Sequence, residues 1–412
     1  MISRTFLLSY FVFFGHALCS QHPLVVGYLP YYRFELAGKI DYAKLTHLNL
    51  AFLNPDTLGN LSIGDKDITP IVALAKNINP QIRVFISIAG GHITPEWQAA
   101  YDKYLLPENR SGFIALLMQY LSDNELDGID VDLEWSSINE LYSPFVLELA
   151  DSVRARGKQI TAALPAIYRY PQLSPQALNA FDLIHIMAYD LTGPWAPTRP
   201  GPHSPLSLAP ESIDYWLGQG ARAEQLTLGL PFYGYDFSNL PEVRSFTYAA
   251  MVAENTSYAR LDQVGERYYN GISTVQAKTW LALQEVAGVM IWELGQDAFE
   301  SYRSYSLLTA IDEVISGNVV PLTGAGPLAD LHQGSPAWFP NPFRSELYLD
   351  GYGIHRTAQV LLTDLQGRQV FEGRLVLTDV AAAIDPGELA PGIYIGRVCV
   401  VGECFVTRLV RE

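Results

Sequence analysis

Apolar and polar positions keep one rhythm from Pro23 to about Asn318: a short apolar run, a polar or Gly-Pro-rich connection, then apolar residues at helical spacing. The apolar runs predict strands at residues 24–29, 46–52, 83–88, 128–134, 159–165, 183–188, 226–232 and 289–293. Helix-spaced residues occupy 71–77, 113–122, 144–156 and 275–285. The third of these helices is expected to have Ser143 at its N-cap, Pro144 at its first helical position and Gly157 just past its end. Strands that are apolar throughout, alternating with helices, predict an α/β fold, a parallel (β/α)8 TIM barrel. The runner-up is an open doubly wound sheet. It is disfavoured because Gly27-Tyr28-Leu29-Pro30-Tyr31-Tyr32 follows the first strand where a Gly-rich phosphate loop would stand. Barrel chemistry gathers at the C-terminal strand ends, where Tyr28, Phe52, Ser87, Glu134, Tyr189, Tyr233 and Trp292 fall.

Past Asn318 the pattern changes. Residues 319–337 are rich in Pro, Gly and Ala and read as a linker. Residues 338–412 then alternate apolar and polar in short runs at 347–349, 358–362, 369–371, 393–401 and 404–410, punctuated by Gly367, Gly373, Gly392 and Gly402. That pattern predicts a small C-terminal antiparallel β-sandwich. The barrel is therefore assigned to 21–318, after a leader at 1–20.

Within the fourth strand, Leu126-Asp127-Gly128-Ile129-Asp130-Val131-Asp132-Leu133-Glu134-Trp135 changes the picture from fold to chemistry. Side chains on a strand alternate between faces, so Asp130, Asp132 and Glu134 share one face and Ile129, Val131 and Leu133 the other. Three carboxyl groups that close cannot all ionise without cost. At least one is pushed toward its protonated form, which is how a proton donor is held at neutral pH. A solvated edge strand or a divalent-metal site are the competing readings, weakened by the apolar alternate residues.

Composition narrows the partners. With 49% hydrophobic and 17% charged residues, and no apolar run of spanning length after the N-terminus, the chain reads as a globular protein without a permanent membrane span. A formal net charge of −16 argues against nucleic acid and anionic membrane surfaces. The 24 Tyr and 7 Trp favour flat apolar ligands such as sugar rings, although aromatic packing alone would also use them. Arg4, an apolar run from Phe6 to Phe14 and Ala17-Leu18-Cys19 form a secretion signal. Outside it, only Cys399 and Cys404 remain, flanking Val-Val-Gly-Glu, a spacing that suits a hairpin disulfide in an exported protein.

Asp127-Gly128-Ile129-Asp130-Val131-Asp132-Leu133-Glu134 strongly resembles the Asp-Gly-x-Asp-x-Asp-x-Glu signature of family 18 glycoside hydrolases. Met187-Ala188-Tyr189-Asp190, Gly229-Leu230-Pro231-Phe232-Tyr233-Gly234 and Trp292 fall in register with that family's sixth, seventh and eighth strands. The resemblance covers residues 23 to 318. One motif departs: Ser87-Ile88-Ala89-Gly90-Gly91 is a residue longer than the usual Ser-x-Gly-Gly, which puts the position of Ser87 in question. Only about 55 residues separate Tyr233 from Val289, so the long segment many relatives insert there is expected to be absent, with a shallower groove and non-processive cleavage.

The resemblance implies a substrate-assisted retaining mechanism, in which Glu134 is the acid and later the base, and Asp132 turns toward Glu134 and the sugar's acetamido nitrogen. Asp130 would share a proton with Asp132, Tyr189 would bond the acetyl oxygen, and Trp292 would floor that sugar's site. Asp190, Tyr28, Phe52, Ser87, Trp135, Met187 and Tyr233 complete the expected substrate-binding set. Asp127 is read as closing a tight turn with Gly128, and His185 as a satisfied core histidine. Trp97, Trp135 and Trp195 could line outer subsites or pack under loops. Nothing has metal-ligand spacing, and no cofactor is implied. Phe339-Pro340-Asn341-Pro342-Phe343, Val360-Leu361-Leu362-Thr363-Asp364-Leu365-Gln366-Gly367 and Leu389-Ala390-Pro391-Gly392-Ile393-Tyr394 resemble the sorting domain of the bacterial type IX secretion system. The expected protein is thus a monomeric secreted or surface-held chitinase acting on chitin or N-acetylglucosamine oligomers. An endo-β-N-acetylglucosaminidase on N-glycans and an inactive chitin-binding lectin are the alternatives.

Overall fold

The computed structural model describes residues 23–319, 337–339, 343, 347–350, 356–364, 368–377, 382–387, 389–400 and 403–411. The expected signal, and all of the expected linker except its two end residues, lie outside them. The chain divides into two compact units, one of Met1–Gly271 with Leu281–Thr309, the other of Ile272–Trp280 with Ala310–Glu412.

In the first unit eight parallel strands close on themselves: β1 Leu24–Pro30, β2 His47–Pro55, β3 Arg83–Ala89, β4 Gly128–Asp132, β5 Gln159–Pro165, β6 Leu183–Met187, β7 Leu226–Pro231 and β8 Gly288–Trp292. Each pairs with the next, and β8 pairs with β1 at Leu24↔Gly288 through Gly27↔Ile291. The barrel therefore has no open edge, and the doubly wound alternative is excluded. Helices run outside it: α1 Thr69–Ile78, α2 Pro95–Tyr104, α3 Pro107–Asp123, α4 Tyr142–Arg154, α5 Pro175–Ala180 and α6 Leu208–Gly218; later in the chain come α7 Tyr248–Glu254 and α8 Ile272–Glu285, whose residues are divided between the two units. The connection after β1 is a 3-10 segment, Tyr31–Lys39, instead of a helix.

Strands buried on both faces explain why they read as apolar runs: β7 is buried along its whole length. The helices read differently because each buries one stripe. Phe113, Ile114, Leu117, Met118 and Leu121 face inward from α3, and Phe145, Val146, Leu149, Ala150 and Val153 from α4, at the three- and four-residue spacing of one helix face. Burying each such side chain contributes about 1.5–3 kcal/mol, so a carboxylate at Val153 would break the α4 contact. The start of α4 differs from expectation. Its N-cap is Leu141, without a side-chain cap. Ser143 instead donates from Oγ to the Gln172 carbonyl and accepts from the Ser174 amide, tying α4 to the entry of α5. Pro144 is then the third helical residue, tolerated because first-turn amides have no intrahelical acceptor.

A second correction lies between β7 and β8. The short connection is not bare: Tyr233–Asn239, Glu242–Thr247, Arg267–Tyr268 and Gln263–Val264 form a four-stranded antiparallel sheet, with α7 between its second and third chain segments. Its first strand buries Tyr233, Tyr235 and Phe237 at period two, a pattern that the preceding Gly-Leu-Pro-Phe run masks in the sequence.

The second unit contains two antiparallel sheets, one of Ala337–Phe339, Leu347–Asp350 and Ala382–Ile384, the other of Gln369–Leu377, Arg356–Asp364, Gly392–Val400 and Glu403–Arg411. Leu347, Leu349 and Ile384 from the first sheet and Ala358, Val360, Leu362, Tyr394, Val398 and Leu409 from the second share one core, which makes the pair a sandwich. Cys399 is disulfide-bonded, and Cys404 stands opposite it in the hairpin register. Among the described residues no helix is long and apolar enough to cross a membrane.

Candidate active site

Parallel register sets the floor of the site. Ser87 on β3, Asp130 on β4 and Thr161 on β5 are direct register partners, so three polar side chains meet inside an apolar barrel. Asp130 is fully buried. Its Oδ2 accepts from Tyr28 Oη at 2.7 Å and Ser87 Oγ at 2.6 Å, and its Oδ1 accepts from Thr161 Oγ1 at 2.6 Å. Burial pushes the Asp130 carboxyl up, and these three hydroxyl bonds pull against that shift. His185 Nε2 lies 3.8 Å from Oδ1 and its Nδ1 is 2.8 Å from Thr227 Oγ1. Burial drives the His185 ring down to about 3, so it stays neutral and is the core histidine that its mid-strand position implied.

One pleat further on, Asp132 is 4% exposed, and its Oδ1 is buried without a hydrogen-bond partner. Burial, then the charges of Glu134 and Asp130, hold its carboxyl well above the usual range. Glu134 follows the strand end and is half-buried; burial first, then the Asp190 charge, push its carboxyl up to about 7. The three carboxyls thus grade outward from one bonded by three hydroxyls, through one whose Oδ1 has no partner, to one pushed up to about 7.

The longer third-strand motif leaves Ser87 in place. Ala89 absorbs the extra residue by taking φ 76°, Gly90 follows at φ 90°, and the Gly90 amide bonds the Asp132 carbonyl. Gly91 then comes so close to Glu134 that a Cβ there would stand 2.7 Å from Oε1, which leaves room for no other residue without moving the acid.

Two strands along, just past β6, Tyr189 is buried with its hydroxyl 4.0 Å from Met290 Sδ, a weak acceptor. Burial and then the Asp132 charge raise its phenol well above its ordinary value, so it remains a donor. Asp190, at φ 66°, directs Oδ1 to two phenol donors, Tyr233 Oη at 2.5 Å and Tyr235 Oη at 3.1 Å, and the same oxygen lies 3.3 Å from His203 Nδ1. Trp292 stacks on Phe52 at 5.6 Å between ring centroids and meets Tyr28 edge-on at the same distance. Both Phe52 and Trp292 are half-buried, as is Met187.

Several expected residues stand elsewhere than expected. Tyr28 and Ser87 are 1% and 0% exposed and spend their hydroxyls on Asp130, the bond that the resemblance implies for Ser87, so they lie behind the carboxyls instead of in the substrate-binding set. Asp127 makes no tight turn. Its Oδ2 accepts the Val84 amide and pairs with Lys76 Nζ at 3.2 Å, joining β3 and β4 at their N-terminal ends. Trp135 and Trp195 are 68% and 57% exposed, and Trp97 is half-buried. Thr161, His203 and Tyr235 went unrecognised in the sequence. Thr161 could have been found from strand register, two adjacent parallel strands placing it beside Asp130; Tyr235 lies on a period-two strand masked by the preceding motif, and His203 sits in a connection that no periodicity locates.

Graded carboxyls at the C-terminal end of a barrel strand, facing a phenol and an aromatic floor, define an acid-base enzyme built on a TIM barrel. The chain belongs to glycosyl hydrolases family 18, whose model matches residues 24–297, and residues 337–410 match the secretion system C-terminal sorting domain. It is similar to the family 18 chitinase ChiB from the chitin utilization locus of Flavobacterium johnsoniae, at 43% identity over 73% of this chain and 96% of that one, with a TM-score of 0.70. A chitinase from Bacteroides thetaiotaomicron is 26% identical over 72% of this chain and 97% of its own, with a TM-score of 0.63. Probable chitinase 10 of Drosophila melanogaster is 26% identical over 67% of this chain. The chain spans 14%, 55% and 41% of the lengths of three such curated relatives.

Proposed function

We propose that the protein is a chitinase, hydrolysing β-1,4 bonds between N-acetylglucosamine units with retention and with the sugar's own acetamido group as nucleophile. The observation that carries this reading is the pairing of Glu134, held near pH 7, with Asp132, whose buried Oδ1 has no partner. Family 18 is an exception to the two-carboxylate rule for glycosidases, and this site has one half-buried acid and one acceptor awaiting a donor. An acetamido N–H supplies such a donor.

Glu134 gives its proton to the leaving oxygen as the acetamido carbonyl oxygen forms a bond to C1. The resulting oxazolinium carries a positive charge, which the Asp132 carboxylate offsets once its proton has passed inward to Asp130. Tyr189 donates to the acetyl oxygen and Asp190 assists from the same strand end. Trp292 lies under the sugar's apolar face. Water then attacks C1, giving its proton to Glu134, and the ring reopens with its original configuration. Similarity to chitinases of two bacteria supports the substrate class, and the match at 337–410 supports passage through the type IX machinery to the medium or cell surface.

The test sets the protein and its Glu134→Gln variant against chitin oligomers and a high-mannose glycoprotein. Chitobiose release by the parent, with a loss of about 10³ in the variant, is expected. Glycan release alone would replace chitin by N-glycan cores as the substrate, and binding without turnover would make the barrel a lectin.

A further inference from the structure

The turn that follows β3 is gripped from behind by two buried residues that belong to no motif of the site. Ala89 and Gly90 take φ 76° and 90° in succession. Glycine adopts that backbone freely, but for Ala89 it crowds the Cβ against the following carbonyl, and it persists only where the surroundings hold it. The Gly90 amide, bonded to the Asp132 carbonyl, is one hold. Asn54, near the end of β2, supplies another: its Nδ2 donates to the Ala89 carbonyl oxygen at 3.3 Å, and its Oδ1 accepts from Tyr101 Oη at 3.1 Å. A carbonyl oxygen only accepts, so Nδ2 must face it, and the amide oxygen is left to the phenol. Asn54 and Tyr101 are 2% and 0% exposed, so water does not replace either bond.

The front of the turn touches the groups that the proposed reaction uses. A Cβ on Gly90 would stand 2.6 Å from the ring of Phe52, which stacks on Trp292, and one on Gly91 would stand 2.7 Å from Glu134 Oε1. The backbone thus lies against both the acid and the aromatic floor, and a shift of the turn moves one or the other. We propose that Asn54, oriented by Tyr101, is a positioning residue of the reaction: its bond to Ala89 fixes the turn at 89–91 and, through Gly91, the place of the Glu134 carboxyl. The inference rests on Glu134 being the acid, but one of its readouts does not depend on activity.

Asn54→Leu keeps the bulk and removes both bonds. Its kcat on chitin oligomers should fall about tenfold with KM within about threefold, since a misplaced acid slows the chemistry more than it weakens binding. Tyr101→Phe should cost about threefold, and the double variant no more than Asn54→Leu alone, because the phenol acts only through the amide. A lowered Tm with kcat per folded molecule unchanged would overturn the proposal, as would losses that multiply in the double variant. The readout free of activity is the carboxyl ¹³C resonance of Glu134, assigned by its absence from Glu134→Gln. In Asn54→Leu it should titrate about half a unit lower than in the parent, because a loosened turn admits water to a carboxyl that burial holds up. The titratable groups around it, Asp132, Tyr170, Tyr189 and Asp190, are untouched by the substitution. An unshifted titration overturns the proposal whatever the protein hydrolyses, whereas full activity in Glu134→Gln would overturn the acid itself. Should Asn54→Leu not fold, Tyr101→Phe is read by the same titration, with a smaller downward shift expected and none overturning the proposal.

Discussion

Two buried aspartates in the barrel unit are nearly equal in exposure and opposite in bonding. Asp297 is 3% exposed, and its two oxygens collect the Ala298, Leu307 and Leu308 amides and the Ser306 hydroxyl. Asp132 is 4% exposed and has one oxygen with no donor at all. Burial pushes both carboxyls up, but at Asp297 four donors pull it back, whereas at Asp132 the neighbouring charges of Glu134 and Asp130 push it further. The first is a structural carboxylate, saturated by the fold that it holds together. The second is left unsaturated by the fold, as the proposed mechanism needs of a group that meets the sugar's acetamido N–H.

Breaking the comparison at each end should give unlike failures. Asp132→Asn is expected to lower kcat on chitin oligomers by about 10² with a Tm near the parent's, since it removes a charge that only the reacting sugar uses. Asp297→Ala should do the reverse, costing about 3 kcal/mol in urea unfolding by stranding four buried donors, while kcat per folded molecule stays within about twofold. If both variants lost stability equally and activity equally, the distinction between saturated and unsaturated carboxyls would fail.

The pH dependence sharpens it. Glu134 donates only while protonated, so kcat/KM should fall about tenfold per unit once pH rises past about 7, the position to which its carboxyl is pushed. Stability follows the same sign. A carboxyl whose folded pKa is raised contributes stability that is present below its unfolded value and lost as pH rises through the folded one. Comparing Tm from pH 5 to pH 8, the Glu134→Gln variant should therefore gain on the parent as pH rises. The smallest effect concerns the inner carboxyl. Thr161→Val removes one of its three hydroxyl donors, which should cost about 1 kcal/mol and shift the alkaline limb by a few tenths of a unit.

Much of this was legible in the chain, for reasons that differ by residue. Period and length located the eight barrel strands to within three residues at either end, because a strand buried on both faces is mostly apolar along its length. The carboxyl ladder Asp130, Asp132, Glu134 was legible because alternation along one strand is a local property. Ser143 misled: a good capping residue just before a proline was captured by Ser174, a contact across 31 positions that no local rule contains. The inserted sheet was missed because its alternation at Tyr233, Tyr235 and Phe237 begins inside another motif.

The sequence by itself determined which groups could carry protons and on which strand face they stand, since covalent order and the strand period settle both. Only the tertiary structure decided how those groups differ. Asp130 is bonded because Tyr28, Ser87 and Thr161 reach it from three other strands, and Asp132 Oδ1 lacks a donor because none reaches it. Asp190 acts on Glu134 because closure of the barrel sets β4 and β6 around one mouth. Burial and charge are sums over neighbours in space, and a chain read one residue at a time does not contain that sum.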